Sequence, residues 1–250
     1  MVQSLDRGIK ILSILGSRKS AGVTELAAEM GINKSTAFRL IDTLRLNALV
    51  EKDPVTEKYR ISAGVLKYSE SFLNNNNIVS LVHPFLKKLT ETTKESTHLC
   101  VFVNERVIVI DQVKSSEAIK VSASVGSEEI SYCTAVGKVL LAYLPGEVRE
   151  QILSQMQFTP YTKNTILDIG MLEEELTRIS KSGYAVDNEE RTQGIRCFAG
   201  PIFDHSGRVQ YSIGLSVPVM RDRIHANDAY IGELVAVATE ISKKLGYKQT

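Results

Sequence analysis

The chain has 250 residues, of which 43% are hydrophobic and 24% charged, with 30 basic against 29 acidic side chains. This balance is ordinary for a folded globular protein and excludes an acidic disordered tail or a strongly cationic coat for nucleic acid. No apolar run approaches the roughly 20 residues that span a bilayer, and no secretory pattern or disulfide framework is present, so we expect a cytoplasmic protein with reduced thiols.

The first part of the chain has the periodicity of successive short helices. A first helix is predicted by apolar residues at helical spacing, namely Leu5, Ile9, Leu12 and Leu15. Thr24 is predicted to cap a second helix over Glu25–Met30, and Gly31 suits the left-handed turn that ends it. A third helix begins at Asn33 or Lys34, with an inner stripe of Ala37, Leu40, Ile41 and Leu44.

Two β-prone segments follow, Leu49–Glu51 and Lys58–Ile61, and the Asp53-Pro54 pair between them indicates a turn. Helices followed by a hairpin in this order predict a winged helix-turn-helix domain over residues 1–62. This segment holds ten basic and seven acidic residues, which is a weak sign of contact with nucleic acid.

In such a domain the start of the third helix meets base edges, while its flanks and the wing touch phosphates. Hydroxyl, Lys and Arg side chains at these places can donate to bases or phosphates. The predicted DNA-binding residues are Thr24, Lys34, Ser35, Thr36, Arg39, Arg45, Lys58 and Arg60. Because a single module makes few contacts, we expect a dimer on a palindromic operator.

A linker helix is predicted over residues 63–77, where four consecutive asparagines interrupt a helical pattern. Beyond it the period changes to 2, which predicts strands at His98–Val103, Arg106–Gln112 and Ile119–Val125. Helices are then predicted at Ala135–Tyr143, Glu147–Met156 and Met171–Ser182, followed by strands at Tyr184–Val186, Ile195–Phe203 and Val209–Val217 and a helix at Asp228–Leu245. This order predicts an α+β domain on an antiparallel sheet over residues 78–250.

Several motifs resemble the bacterial transcription regulators of the IclR type. They are Gly31–Leu40 (GINKSTAFRL), Tyr132–Ala142 (YCTAVGKVLLA), Gly183–Glu190 (GYAVDNEE), Gly194–Cys197, Gly200–Asp204 and Gly214–Pro218 (GLSVP). They cover nearly the whole chain in the family's order. The similarity is greatest to the subgroup that regulates 2-keto-3-deoxygluconate metabolism, although regulators of aromatic-acid catabolism share much of the pattern.

The resemblance implies a GAF-like effector-binding domain that also drives assembly into a homodimer or a tetramer built as a dimer of dimers. It implies no cofactor. The effector-binding residues carried over from the family are Ala135, Val136, Gly137, Asp187, Cys197, Gly214 and Ser216. Some family members have a hydroxyl residue at the position of Gly214, and a smaller residue is common at that of Val136.

The residues themselves support a site for a small carboxylate at this place. A helix start at Thr134–Lys138 would present free backbone N–H groups to an anion. Alternation along the Val209–Val217 strand puts Ser212, Gly214 and Ser216 on one face, so Ser212 joins the predicted effector-binding residues. Alternatively, these small residues allow close packing, and the domain serves oligomerisation alone.

An enzyme is the remaining alternative, because Asp187, Glu189 and Glu190 are neighbouring carboxylates and Cys197 follows them. No spacing typical of a catalytic or metal site is met, so we expect neither catalysis nor a metal. The sequence therefore predicts a DNA-binding transcription regulator whose effector is a small carboxylate, with a sugar acid favoured. A regulator of aromatic-acid catabolism is the alternative.

Overall fold

The chain folds into two units, Met1–Asn76 and Asn77–Thr250. The structure is a computed structural model that describes residues 2–75, 77–121, 123–221 and 226–248. Each unit has a hydrophobic core of its own. The predicted linker over residues 63–77 includes Asn76, which lies outside the described residues, and its role as a separate linker stays a prediction.

The first unit contains the predicted winged helix-turn-helix. Its elements are α1 (Gln3–Ser17), α2 (Val23–Glu29), α3 (Lys34–Leu46), β1 (Val50–Lys52), β2 (Tyr59–Ile61), a 3-10 turn at Ala63–Val65 and α4 (Leu66–Asn75). The core is formed by one apolar stripe from each of α1, α2 and α3 and by the hairpin, and it includes Ile11, Leu15, Leu26, Ile41, Val50 and Tyr59. Burial of these side chains fixes which face of α3 points outward.

The caps of α2 and α3 are local hydrogen bonds between neighbouring residues. The helix α2 starts earlier than predicted, because the N–H of Gly22 donates to the Glu25 carboxylate at 2.9 Å. Thr24 is therefore not the cap but an exposed residue inside the helix. At α3 the Asn33 side chain accepts from the N–H of Thr36 at 2.8 Å, as expected for an N-cap residue.

The second unit consists of α5 (Asn77–Thr93), β3 (Ser96–Val103), β4 (Arg106–Val113), β5 (Glu128–Glu129), α6 (Ala135–Ala142), α7 (Gly146–Ser154), α8 (Ile169–Ser182), β6 (Ala185–Asn188), β7 (Ile195–Phe203), β8 (Val209–Pro218), a 3-10 turn at Val219–Arg221 and α9 (Ala226–Lys244). The turn predicted between β3 and β4 is confirmed, with positive φ angles of 49° at Asn104 and 65° at Glu105. Such angles are typical of the two-residue hairpin turns that match strand twist.

Among the described residues, six strands form one antiparallel sheet in the order β5-β4-β3-β8-β7-β6. Helices α5 and α9 cover one face of it, packing on Leu99, Ile213 and Leu215. Helix α6 packs on the other face, and α8 packs against α6. The alternation predicted along β8 is therefore confirmed, since its even-numbered residues turn toward the α6 side.

The strand predicted at Ile119–Val125 is wrong. Its described residues, 119–121 and 123–125, form an irregular segment, and only Glu128–Glu129 pair with β4. Gly126 has a φ of +88°, and its N–H bonds to the carbonyl of Val109, so the chain turns at the sheet edge. The β-branched residues of this segment were a misleading signal, because Val121 lines a cavity instead of a strand interface.

Candidate functional site

The exposed face of α3 carries most of the predicted DNA-binding residues. Lys34, Ser35 and Arg39 are exposed, and Thr36 is half-buried. Within the described part of the chain neither Lys34 nor Arg39 makes an ion pair, so both cations are available to a phosphate or a base edge. The Ser35 hydroxyl donates to the Asn33 side chain at 2.8 Å, which helps to hold the first turn.

The other predicted DNA-binding cations are engaged in ion pairs at the surface, namely Arg45 with Asp42 at 2.8 Å, Lys58 with Glu25 at 3.0 Å and Arg60 with Glu51 at 2.6 Å. The hydrogen bond from Gly22 and the ammonium of Lys58 lower the pKa of Glu25. Exposed pairs of this kind contribute little to stability. A DNA phosphate can therefore replace the carboxylates at low cost.

Phe38 is a feature of this face that the sequence reasoning missed. Its side chain is 51% exposed between Lys34 and Arg39 on the outer surface of α3. An aromatic ring on a recognition helix can make apolar contact with a thymine methyl group. The only signal in the sequence was that Phe38 falls outside the apolar stripe of α3.

In the second unit, a cavity of about 390 Å³ lies beside the start of α6, and we call it the α6 cavity. Its lining comes from β3, the segment before α6, the first turn of α6, β6 with the loop after it, β7 and β8: His98, Val121, Glu129, Thr134, Ala135, Val136, Asp187, Arg191, Cys197 and Ser216, among others. This volume is within the range of about 300–1,000 Å³ typical of small-molecule sites.

The first turn of α6 provides a place for an anion. Thr134 is the N-cap, and its hydroxyl oxygen accepts from the N–H of Gly137 at 3.3 Å. The N–H groups of Ala135 and Val136 precede the first intrahelical bonds of α6. Gly137 itself does not line the cavity: a Cβ there would lie 2.5 Å from the Ser131 backbone, so glycine permits this close packing.

Asp187 lies at the end of β6 and is 2% exposed. Its carboxylate accepts from the N–H of Glu190 at 2.6 Å, and this bond folds the following loop over the strand end. Burial raises the pKa of Asp187 to about 7, with the charge of Glu190 adding to the effect. At neutral pH this side chain is therefore divided between the acid, which donates a hydrogen bond, and the carboxylate, which accepts one.

Lys138 on α6 anchors the loop that follows β6. Its ammonium is 1% exposed and donates to the Val186 carbonyl at 2.7 Å and to Glu190 at 2.6 Å. It also pairs with Glu175 on α8 at 3.3 Å. The buried cation thus ties α6, α8 and the loop after β6 together.

Of the four predicted effector-binding residues on β7 and β8, two line the α6 cavity and two do not. Cys197 and Ser216 line the cavity and face each other, with 3.3 Å between their sulfur and oxygen atoms. Ser212 is fully buried, and its hydroxyl donates to the Gly200 carbonyl at 3.1 Å, away from the lining. Gly214 does not line the cavity, but a Cβ there would lie 2.3 Å from the ring of His98.

Four ionisable residues of the lining were missed by the sequence reasoning: His98, Glu128, Glu129 and Arg191. Burial lowers the pKa of His98 to about 4 and raises that of Glu129, while the charge of Arg191 partly offsets the rise at Glu129. The Arg191 guanidinium lies 4.0 Å from the ring centroid of Tyr161. No local pattern marked these residues, because they come together only through the sheet order.

The arrangement does not favour covalent chemistry. Burial raises the pKa of the Cys133 thiol to about 12 and raises that of Cys197 further, so neither is a thiolate at neutral pH. Across the part of the chain that the structure describes, no three His, Cys, Asp or Glu side chains are grouped to bind a metal ion. No helix there is long and apolar enough to cross a membrane.

Comparison with known sequences distinguishes a transcription regulator from an enzyme. Residues 4–54 match the IclR helix-turn-helix domain, and residues 70–243 match the C-terminal domain of the bacterial transcriptional regulator IclR. The chain belongs to the IclR family. It is therefore a transcription regulator and not an enzyme, with a DNA-binding unit and an effector-binding unit, as the sequence motifs predicted.

Individual relatives agree with this assignment. The transcriptional regulator KdgR of Escherichia coli is 29% identical over 98% of this chain and 94% of its own length, and the repressor IclR of the same organism is 32% identical over 98% and 89%. The crystal structure of IclR from Thermotoga maritima is 29% identical, with a TM-score of 0.79 over 99% of this chain and 100% of that one. The fold predicted from the sequence is thereby confirmed.

Proposed function

We propose that this IclR-family regulator is a repressor whose operator binding is modulated by a small carboxylate bound in the α6 cavity. The observation that carries the proposal is the first turn of α6 at the cavity wall, beside Arg191 and the polar groups of Asp187 and Ser216. Free N–H groups and the helix dipole favour an anion at such a place, and Arg191 adds a positive charge.

A hydroxylated acid suits the remainder of the lining. Ser216 offers a hydroxyl, and the half-protonated Asp187 either donates or accepts, so both can bond to hydroxyl or keto oxygens of a ligand. The similarity to KdgR, a 2-keto-3-deoxygluconate regulator, supports a sugar acid of that class. We assign effector contacts to Ala135, Val136, Asp187, Cys197 and Ser216, with Gly137, Ser212 and Gly214 supporting them.

The DNA interface is assigned to the outer face of α3 and to the wing. Lys34, Ser35, Phe38 and Arg39 would meet base edges and the nearest phosphates, and Thr36 would lie at the flank. Thr24, Arg45, Lys58 and Arg60 would contact the backbone, the last three by exchanging their surface carboxylates for phosphates. A palindromic operator and a dimer, or a dimer of dimers, would supply the contacts that one module lacks. Such a regulator acts on the chromosome, so we propose a cytoplasmic location.

Control by the effector is a coupling free energy between the two sites. An acid that binds more tightly when the paired DNA-binding units adopt one arrangement shifts the population toward that arrangement. The shift in population changes the affinity for the operator. The coupling is reciprocal, so operator DNA must also change the affinity for the acid. Allosteric control is distinguished from direct competition for the DNA surface because its effect on operator affinity reaches a limit at high acid concentration.

The decisive experiment measures binding of the purified protein to DNA upstream of its own gene, at two salt concentrations. The titrations are run alone and with 2-keto-3-deoxygluconate or 4-hydroxybenzoate, and thermal melting is followed with the same acids. A change with the sugar acid supports the proposal, whereas a change with 4-hydroxybenzoate alone favours the aromatic-acid alternative. Melting that neither acid changes would count against a carboxylate effector of either class and favour the alternative in which the second unit serves oligomerisation alone.

The DNA assignment has its own matched test at Arg39. Replacing Arg39 with alanine should weaken operator binding by about 1–3 kcal/mol and leave the circular dichroism spectrum unchanged. Lys10→Ala is the control, because Lys10 is an exposed cation on α1 that pairs with Asp6 at 3.0 Å. Equal affinities for the two variants would show that α3 is not the recognition helix.

A further inference from the structure

The ring of His98 lines the α6 cavity without a hydrogen-bond partner. His98 is 6% exposed on β3, and none of the described residues hydrogen-bonds to its ring nitrogens. A buried imidazole with unused donor and acceptor groups costs free energy unless something else satisfies them. Within the described part of the structure, the ring nitrogens of His98 can therefore form hydrogen bonds only with a molecule that occupies the α6 cavity.

The neighbouring strand is built to admit this ring. His98 pairs with Gly214 across β3 and β8, and the same row continues to Ala199 on β7 and Ala185 on β6. A Cβ at Gly214 would lie 2.3 Å from Nε2 and 2.6 Å from Cε1 of His98. Gly214 does not adopt a positive φ, so its glycine is required for space and not for backbone conformation.

The next row of the sheet is polar and lies on the same face. Asp187, Cys197 and Ser216 are successive partners in the register of β6, β7 and β8. His98 therefore adds an imidazole from a fourth strand to this polar wall, while its row continues across β8, β7 and β6 with only Gly214, Ala199 and Ala185. The ring takes the place that a side chain at position 214 would otherwise fill.

We propose that His98 selects the effector by exchanging a hydrogen bond with an uncharged hydroxyl or keto oxygen of the bound acid. The inference rests on the proposed function, since it requires an effector in the α6 cavity. With its pKa near 4 the ring is neutral at pH 7 and offers one donor and one acceptor, without a positive charge for a second carboxylate. The ligand class is thus a monocarboxylate with a neutral oxygen substituent, as opposed to a plain acid or a dicarboxylate.

The test compares acids that differ only in that oxygen. Binding of 2-keto-3-deoxygluconate, pyruvate with propionate, and 4-hydroxybenzoate with benzoate is measured by calorimetry on wild type, His98→Leu and His98→Gln. For the acid that wild type binds, His98→Leu should weaken binding about five- to tenfold, while His98→Gln recovers most of it. The matched acid without the oxygen should bind equally to all three proteins, which a merely structural role of His98 would not produce.

Two further variants keep the result interpretable. His205→Leu is the control, because His205 is exposed in the turn between β7 and β8. Gly214→Ser should lower the melting temperature in the wild-type background and lower it less together with His98→Ala, since the two nearest atoms to the added Cβ belong to the His98 ring while the contact with Val136 at 2.8 Å remains. Gly214→Ser that is equally harmful in both backgrounds would overturn the packing on which the inference depends.

The outcomes separate this inference from the proposed function. If an acid binds wild type and His98→Leu equally, His98 does not select the effector, while the effector site itself stands. If none of these acids binds wild type, the proposed effector class and the role of His98 fail together. A loss that appears equally for propionate or benzoate would show that His98 only supports the fold.

Discussion

Replacing Lys138 with methionine removes a buried cation without leaving a cavity. In the wild type its ammonium contacts Glu190 at 2.6 Å, the Val186 carbonyl at 2.7 Å and Glu175 at 3.3 Å. Glu175 keeps a partner in the variant, since Arg178 lies 2.7 Å from its carboxylate. Glu190 loses its only side-chain donor, and its Oε2 has no partner among the described residues even before the change.

The cost follows from this uncompensated carboxylate. Breaking a buried ion pair by removing one partner costs about 3–5 kcal/mol. Protonation of Glu190 limits this cost, because neutralising a carboxyl of ordinary pKa near 4.3 at pH 7 takes about 4 kcal/mol, at roughly 1.4 kcal/mol per pH unit. We therefore expect Lys138→Met to lower the free energy of unfolding of the second unit by about 3–4 kcal/mol at pH 7.

The pH dependence provides a stricter test of the same reasoning. In the variant the buried carboxyl group of Glu190 has lost the ammonium beside it, so the loss of stability should shrink as the pH falls and the charge is removed. At pH 5 it should be about 1 kcal/mol. Urea unfolding followed by circular dichroism at both pH values measures this, with Lys181→Met on the exposed surface of α8 as the control.

The double variant Lys138→Met with Glu190→Gln removes both charges and should recover at least about 2 kcal/mol of the loss at pH 7. Because Glu190 lies in the loop after β6 and its N–H donates to Asp187, the single variant should bind the effector more weakly as well. A deficit below about 1 kcal/mol at pH 7, or one unchanged at pH 5, would refute the argument from the buried charge.

Two further predictions concern packing and pH. Gly137→Ala should lower the free energy of unfolding in urea by at least about 2 kcal/mol, because its Cβ would lie 2.5 Å from the Ser131 backbone. The control Gly232→Ala on α9 has open space around its Cβ and should raise the free energy of unfolding by about 0.5–1 kcal/mol. Equal effects of the two substitutions would contradict the close packing at α6. The folded-state pKa of His98, about 4, is below the ordinary 6.5, so its contribution to stability is present above pH 6.5 and falls by about 3 kcal/mol toward pH 4. Asp187, with a folded-state pKa of about 7, contributes in the opposite sense. Its contribution to the free energy of unfolding is present below its ordinary pKa of about 3.9 and is lost as the pH rises to 7. His98→Asn should therefore gain stability relative to wild type between pH 7 and 4.5, and a constant difference in unfolding free energy would contradict the neutral buried ring.

The local elements were predictable because their signals lie within a few residues of one another. The stripe of α3, its Asn33 cap and the turn at Asn104 depend on spacing and backbone preference, and all are present in the structure. The errors are also local. Thr24 was predicted as the cap, but the Glu25 side chain bonds to the N–H of Gly22 and the helix begins earlier. In the segment predicted as a strand at Ile119–Val125, Val121 lines the cavity and the chain turns at Gly126.

The sequence by itself determined the family, the order of the two units and the helix start on which the effector site is proposed, because each depends on contiguous motifs. Only the tertiary structure decided which side chains share the α6 cavity. His98 and Gly214 are separated by more than a hundred residues, and they meet because β3 pairs with β8 in one register. A shift of one residue in that register would turn the imidazole to the opposite face of the sheet, so no local pattern could have placed it.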